Sequence, residues 1–348
     1  MMVLSFDQLK AFCRGVLINA GASEENARCV AEHLARSNLL GHDSHGVSCL
    51  VMYLDALSDG FIDPTASPKV IRDMGSIAVV SGSWTFGQVG AEFAAKVAIE
   101  KAKQHKVAIV AAVHCNHTGR LGHYCELAAS EGIGTIITHG GFERAFMVPP
   151  GGKTGALAAN PIAFGLPAGK YPPVVVDFAT TMVAVGKLAV ARDEGKQVAP
   201  GLILDKDGNP TVNPSDFFDG GALLPVGGHK GYGLGLAVEL LSAALIGEHD
   251  IAHQGKVDSN LEKTGTLFIA FKSDAFQPGD SYGRHVEGIV ERMKGIEPAP
   301  GSAGVMIPGE PELAERERRL KAGIPIADAT WARIKRAADG LGIDLPPV

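Results

Sequence analysis

Val107-Ala-Ile-Val-Ala-Ala-Val113, His114-Cys-Asn-His-Thr-Gly-Arg-Leu-Gly-His-Tyr124 and, a little further on, Ile133-Gly-Thr-Ile-Ile-Thr138 decide the class of the fold. The first and last are short apolar runs of strand length. A helical pattern joins them from about Gly122, and another fills about Phe86 to His105 ahead of them. Strand and helix in alternation predict an α/β layer with at least some parallel pairing. The polar segment after Val113 then falls at the end of a strand, where open α/β sheets hold their ligands. Its histidines are His114, His117 and His123.

A second stretch excludes the commonest nucleotide-binding version of such a layer. Pro225-Val-Gly-Gly-His-Lys-Gly-Tyr-Gly-Leu-Gly235 has glycines at 231, 233 and 235. Their spacing is Gly-x-Gly-x-Gly, not Gly-x-Gly-x-x-Gly, and a Gly/Pro loop precedes them where the Rossmann motif has a strand. A nucleotide would have to be held by the backbone amides and dipole of the helix start, with Lys230 as the cation. The plainer reading is that these glycines only permit close helix packing. The apolar helix itself is expected over Leu236 to Ile246.

Toward the N-terminus, Ser5-Phe-Asp-Gln8 has capping-box spacing, and Phe6, Leu9, Phe12, Cys13, Val16 and Leu17 recur at helical intervals. Ser23 opens a second helix through Ala27, Val30, Ala31 and Leu34, and a third carries Leu50, Tyr53, Leu54 and Leu57. Between the last two lies Gly41-His-Asp-Ser-His-Gly-Val-Ser-Cys-Leu50, a loop dense in reactive groups. An imidazole gives or takes a proton near neutral pH, and a neighbouring hydroxyl or carboxylate fixes its tautomer. That makes His45, with Ser44 and Asp43 beside it, the candidate proton donor. The bland alternative has Asp43 or Ser44 capping the next helix and the histidines in solvent.

Two β-rich runs flank Met74-Gly75, residues 140–155 form a Gly/Pro-rich loop, Thr264 to Phe271 reads as a strand, and Asp280 to Lys294 reads as a helix. Glu312 to Lys321 is so charged that a solvated helix is expected. With 348 residues the chain has room for about two domains. A net charge of −6 offers no footprint for nucleic acid or an anionic membrane, which points to small-molecule chemistry. Five cysteines without a Cys-x-x-Cys pair fit reduced thiols. With no signal-like start and no membrane-spanning run, a cytoplasmic protein is expected.

Gly-His-Asp-Ser-His-Gly-Val after a long helix pair resembles the opening signature of the type 2 malate/L-lactate dehydrogenase family, most of all its hydroxycarboxylate dehydrogenase members. The resemblance runs from about Phe6 to Ile343. It implies an α/β fold of the L-sulfolactate dehydrogenase type, not Rossmann, with a mixed sheet, flanking helices and an N-terminal helical region. It also implies NAD or NADP as cofactor, a homodimer and no metal. His117 matches the family histidine that faces nicotinamide and substrate. Asp177, Phe178 and Ala179 match a turn that touches the cofactor, His229 and Lys230 its His-Lys-Gly, and Gly309, Glu310 and Pro311 a turn on the adenosine side. Asn160 stands in the family's Gly-Thr-Asn-Pro run, where Ala159 replaces the Thr that contacts substrate in some members. Lys187 stands where cyclic-imine reductases of the family carry an Asp, which counts against imine reduction.

Cys49 is a further departure. The α-keto acid members place there an Arg that grips the substrate carboxylate. Either Arg144, Lys153 or Arg120 takes over, or the pocket admits a bulkier, less polar substrate; both together are expected, a larger 2-oxo acid with its carboxylate held by Arg144. The domains expected are 1–70, a helical region carrying Ser44 and His45; 71–298, the α/β cofactor- and substrate-binding region; and 299–348, a segment packing back on the rest. The activity expected is hydride transfer between a nicotinamide and a 2-hydroxy/2-oxo acid, with His45 as proton donor and acceptor, Ser44 as relay, Asp43 favouring the charged imidazole and His117 polarising the carbonyl. The competing readings are a metal-dependent hydrolase built on His42, Asp43, His45, His114 and His117, and a non-catalytic binding protein of the same fold.

Overall fold

A short strand, β1 (Met2–Leu4), leads into helix α1 (Phe6–Asn19), and Ser5 closes the expected capping box. Its hydroxyl accepts from the Gln8 amide at 3.2 Å while the Gln8 side chain accepts from the Ser5 amide at 2.9 Å. Helix α2 (Glu24–Leu39) starts at Ser23 and packs along α1. Leu9, Phe12, Val16 and Leu17 meet Val30, Ala31 and Leu34 in a fully buried seam. Each large side chain there contributes roughly 1.5–3 kcal/mol of burial. The computed structural model describes residues 2–141, 145–193, 195–246, 264–277 and 280–345.

After α2 come two 3₁₀ turns, Asp43–His45 and Val47–Cys49, and then helix α3 (Leu50–Ser58). The hairpin β2 (Lys69–Met74) and β3 (Ile77–Ser81) follows, then α4 (Gly87–His105), β4 (Val107–Cys115), α5 (Gly122–Ala129) and β5 (Ile133–Gly141). The predicted alternation is therefore present, and β3 and β4 pair in parallel across the α4 crossover. Strands β6 (Ile162–Ala168) and β7 (Tyr171–Phe178) precede α6 (Val185–Asp193). The small antiparallel strands β8 (Ile203–Leu204), β9 (Pro210–Thr211) and β10 (Ala222–Leu223) surround α7 (Pro214–Phe218). Helix α8 (His229–Glu239) runs into a π turn, Leu240–Ala244. The described chain ends with β11 (Thr264–Lys272), α9 (Ser281–Lys294), α10 (Glu310–Ala322), β12 (Ile324–Ile326) and α11 (Asp328–Gly340).

The main sheet has the order β2-β3-β4-β11-β5-β6-β7. It is mixed, since β2 and β3 are antiparallel while β3 and β4 are parallel. Two compact units share the chain. The first contains 1–136, 163–176 and 268–348. In it β1 pairs with β12, Met2 opposite Ile326, and Phe12 packs on Trp331 of α11, so the C-terminal segment closes on the N-terminal helices. The second contains 137–162 and 177–267. Its small core gathers Leu188, Ile203, Phe217 and Leu223. Residues of the expected 71–298 region contribute to both.

Two expectations need correction. The glycines at 231, 233 and 235 lie inside α8, which begins at His229. Helix geometry is possible there because Gly227 and Gly228 absorb the turn at φ of 62° and 66°. Helix α10 is not solvated throughout, because Arg319 is 6% exposed.

Candidate active site

The Ser44–His45 turn is held by the end of α2. Gly41 leaves the helix at φ 86°, and the His42 amide donates back to the Ser37 carbonyl at 2.8 Å. Asn38 then works with both ends of its side chain. Its Nδ2 donates to Asp43 Oδ1 at 2.6 Å and its Oδ1 accepts from the Val47 amide at 2.7 Å. A Cβ on Gly46 would lie 2.1 Å from that Oδ1, so the close approach demands glycine. Ser48 Oγ donates to the Asp43 carbonyl at 2.7 Å. On this frame Ser44 Oγ and His45 Nδ1 are 3.0 Å apart. With Nδ1 engaged, Nε2 is the nitrogen left for a reacting hydroxyl.

His117 comes from the loop after β4. Asn116, 1% exposed, donates to the carbonyls of Phe61, Trp84 and Thr85 and so locks the preceding backbone. Gly119 sits at φ 74°, where a Cβ would be 2.3 Å from His33 Nε2. The His117 ring lies stacked on that of His45 at 5.8 Å between centroids. Its Nδ1 is 2.9 Å from the Tyr53 hydroxyl, which also takes a hydrogen bond from Gln88 Nε2. Burial pushes the Tyr53 phenol well above its usual range, so it stays neutral. Tyr53 and Gln88 are positioning groups that sequence reasoning took as ordinary helix residues. The one available signal was a glutamine on the alanine-rich buried face of α4.

Burial lowers the His45 pKa to about 4, and the nearby His42 and Arg120 add to the effect. His45 is therefore a neutral imidazole at physiological pH, the form in which Nε2 can accept a proton. The expected contribution of Asp43 is corrected here. Its carboxylate is engaged by Arg319 Nη1 and Nη2 at 2.6 and 2.9 Å and by Asn38, and so is already neutralised. Cys49 is buried under the turn, donating to the Ser44 carbonyl at 3.3 Å, and burial raises its pKa to about 12. It supports the turn as a neutral thiol.

Arg144 lies outside the described residues, and Lys153 is exposed near Gly208. Arg120 is 4% exposed, bonded to Glu126 at 2.7 Å, and its Nε has no partner. Its charge acts on His45.

In the second unit, hydrogen bonds link the run of Asn160, predicted for the substrate, to two segments predicted for the cofactor. The Thr180 amide donates to the Ala159 carbonyl at 3.0 Å, and the Val226 amide donates to the Thr180 carbonyl at 2.9 Å. Asn160, at φ 37°, donates to the Gly235 carbonyl at 2.9 Å. Asp177 and Phe178 end β7 and Ala179 follows it, next to residues bonded to the loop that leads into α8, where His229 and Lys230 are exposed. A positive helix end and an exposed lysine in its first turn fit a nucleotide phosphate. In the first unit Gly309 takes φ 101° against Pro173 and Val175, while Glu310 bonds Lys294 at 2.7 Å and the Ile307 amide at 2.8 Å. Glu310 thereby shapes the turn through its carboxylate, and Pro311 sits in the first turn of α10. His42, His45, His114 and His117 join no group of three or more metal-ligating side chains among the described residues.

The description "Malate/L-lactate dehydrogenase" belongs to the family model that matches residues 4–335. An L-lactate dehydrogenase from Cupriavidus necator is 36% identical over 99% of both chains. Hydroxycarboxylate dehydrogenase B from Escherichia coli is 33% identical over 96% of this chain and 93% of its own. The structure of a sulfolactate dehydrogenase from Methanocaldococcus jannaschii superposes with a TM-score of 0.87 at 33% identity, covering 99% of this chain and 98% of that one. With the fold, the Ser44–His45 turn and full-length similarity in agreement, the chain belongs to the malate/L-lactate dehydrogenase family and is an NAD(P)-dependent oxidoreductase of 2-hydroxy and 2-oxo acids.

Proposed function

We propose that proton transfer in this reaction is carried by His45, with Ser44 fixing its tautomer and His117, steadied by Tyr53, directing the substrate oxygen. The observation that carries this is the Ser44 Oγ to His45 Nδ1 contact at 3.0 Å opposite a stacked His117. In oxidation, neutral His45 takes the hydroxyl proton through Nε2 as the hydride leaves the carbon. A bound nicotinamide supplies the hydride acceptor, and Asp177 to Ala179, His229, Lys230 and the Gly309–Pro311 turn are the residues we assign to it. In reduction the substrate carboxylate brings a negative charge near His45, which favours the imidazolium needed to protonate the alkoxide.

For that carboxylate we assign Arg120, whose unpartnered Nε and proximity to His45 support the reading. Asn160 is assigned to the substrate side, and uncharged Cys49 favours a 2-oxo acid bulkier than pyruvate. A panel of 2-oxo acids, from pyruvate to aryl-substituted ones, assayed with NADH and with NADPH tests the activity. No turnover of any member with either cofactor would sink it. Arg120→Lys is expected to raise KM for 2-oxo acids on the order of 10-fold to 100-fold with cofactor affinity unchanged, because the guanidinium fork is lost. If Arg144→Ala does this and Arg120→Lys does not, the carboxylate is held from the 140–155 loop.

We also propose a cytoplasmic homodimer. Among the described residues no helix is long and apolar enough to cross a membrane, and none of the five cysteines is in a disulfide. Met74, Ile77, Val107 and Ile109 are exposed on one side of three neighbouring strands, an apolar face that a second copy would cover. Light scattering in solution measures the assembly.

A further inference from the structure

Arg319 is an arginine buried 276 residues downstream of the acid it binds. Its Nη1 donates to Asp43 Oδ1 at 2.6 Å and to the Asn38 carbonyl at 2.7 Å. Nη2 donates to Asp43 Oδ2 at 2.9 Å, and Nε donates to Glu315. One guanidinium thus ties the end of α2, the first residue of the Ser44–His45 turn and α10 together. Burying an arginine is costly unless it is paired, and such a pair is weak evidence for stability alone. The fork-to-fork geometry is instead suited to orientation.

We propose that Arg319 is a positioning residue for the proton-transfer step: by occupying both oxygens of Asp43 it fixes the Ser44–His45 turn and cancels the carboxylate charge that would otherwise act on His45. The proposal rests on the reading of His45 as proton donor and acceptor. The charged groups around His45 are consistent with it. His42 in its own turn is paired with Glu312 of α10 at 3.4 Å. Arg120 and His117 follow β4, His33 lies in α2, Glu315 is tied to Arg318 and Arg319, and Arg333 of α11 acts on Cys49. With Asp43 bound to Arg319, the agents that lower the His45 pKa are burial, His42 and Arg120.

Removing either partner alone should therefore have opposite electrostatic effects. Arg319→Met leaves a carboxylate near His45 and raises its pKa by about one unit or more, whereas Asp43→Asn leaves a cation and lowers it. The double variant returns the titration toward wild type, but kcat stays on the order of 10-fold down because the turn is no longer held. Histidine-detected NMR titration of the full-length protein without substrate, with steady-state kinetics at saturating cofactor, reads both. Arg319→Lys, which keeps the charge and loses the fork, should keep the His45 titration near wild type while kcat still falls. It takes the place of Arg319→Met should that variant not fold. An unshifted His45 titration in Arg319→Met would overturn the proposal, as would a kcat within twofold of wild type in Arg319→Met or Arg319→Lys, or Arg319→Met and Asp43→Asn shifting His45 in the same direction. Full activity in His45→Asn would instead overturn the reading of His45, while the substrate-free titration still reports on Arg319.

Discussion

His45→Asn should lower kcat by on the order of 10² to 10⁴ while leaving cofactor binding intact, because an amide of similar size keeps the packing but neither accepts nor delivers the proton. The loss should appear in both directions of the reaction, and the Ser44 hydroxyl that faces Nδ1 at 3.0 Å does not replace it. Wild-type oxidation of a 2-hydroxy acid should stay nearly independent of pH from 7 down to about 5. With a pKa near 4, His45 keeps its base form there, whereas an imidazole of ordinary pKa would already be mostly protonated. Steady-state rates of the variant together with a cofactor titration decide the matter. A loss below tenfold removes His45 from the chemistry.

The second large effect is on acid stability. Burial holds His33 well below the usual histidine range and lowers His45 and His139 to about 4. In the unfolded chain each returns to about 6.5 and binds a proton that the folded chain refuses. Stability from these groups is thus complete above about pH 6.5 and is lost as pH falls toward 4, by as much as roughly 3 kcal/mol for each shift of that size. Glu92 and Glu315, lowered from 4.5 to about 2, begin to lose their contribution only as pH falls through 4.5, so the window from 6.5 down to there belongs to the histidines. His139, 2.9 Å from Thr266 Oγ1, offers the check, since His139→Gln should flatten part of the slope. Thermal melts between pH 7 and 4 measure it, and a stability that does not change between 6.5 and 4.5 would contradict the burial account.

The sequence by itself determined the elements whose signals are local. Ser5 and Gln8 mark the start of α1 because a capping box needs only residues three apart. The apolar run from Val107 to Val113 marks β4 because strand propensity and burial are written into consecutive residues. The glycine spacing at 231 to 235 lacked the Rossmann fingerprint, while the non-Rossmann fold and the choice of Ser44 and His45 for proton transfer came from adding the family resemblance of residues 41–47 to the density of reactive groups there. What only the tertiary structure decided are the partners that lie far apart along the chain. Nothing near Asp43 announces Arg319, and nothing in the charged run of α10 distinguishes Arg319 from the exposed Arg316 and Arg318. The same holds for Tyr53 and Gln88 behind His117, and for β1, whose three residues become a strand only by pairing with β12. A charged or polar side chain has the same local pattern whether it faces solvent or a buried partner. Its role is decided by desolvation and hydrogen-bond geometry, which exist only once the segments have packed.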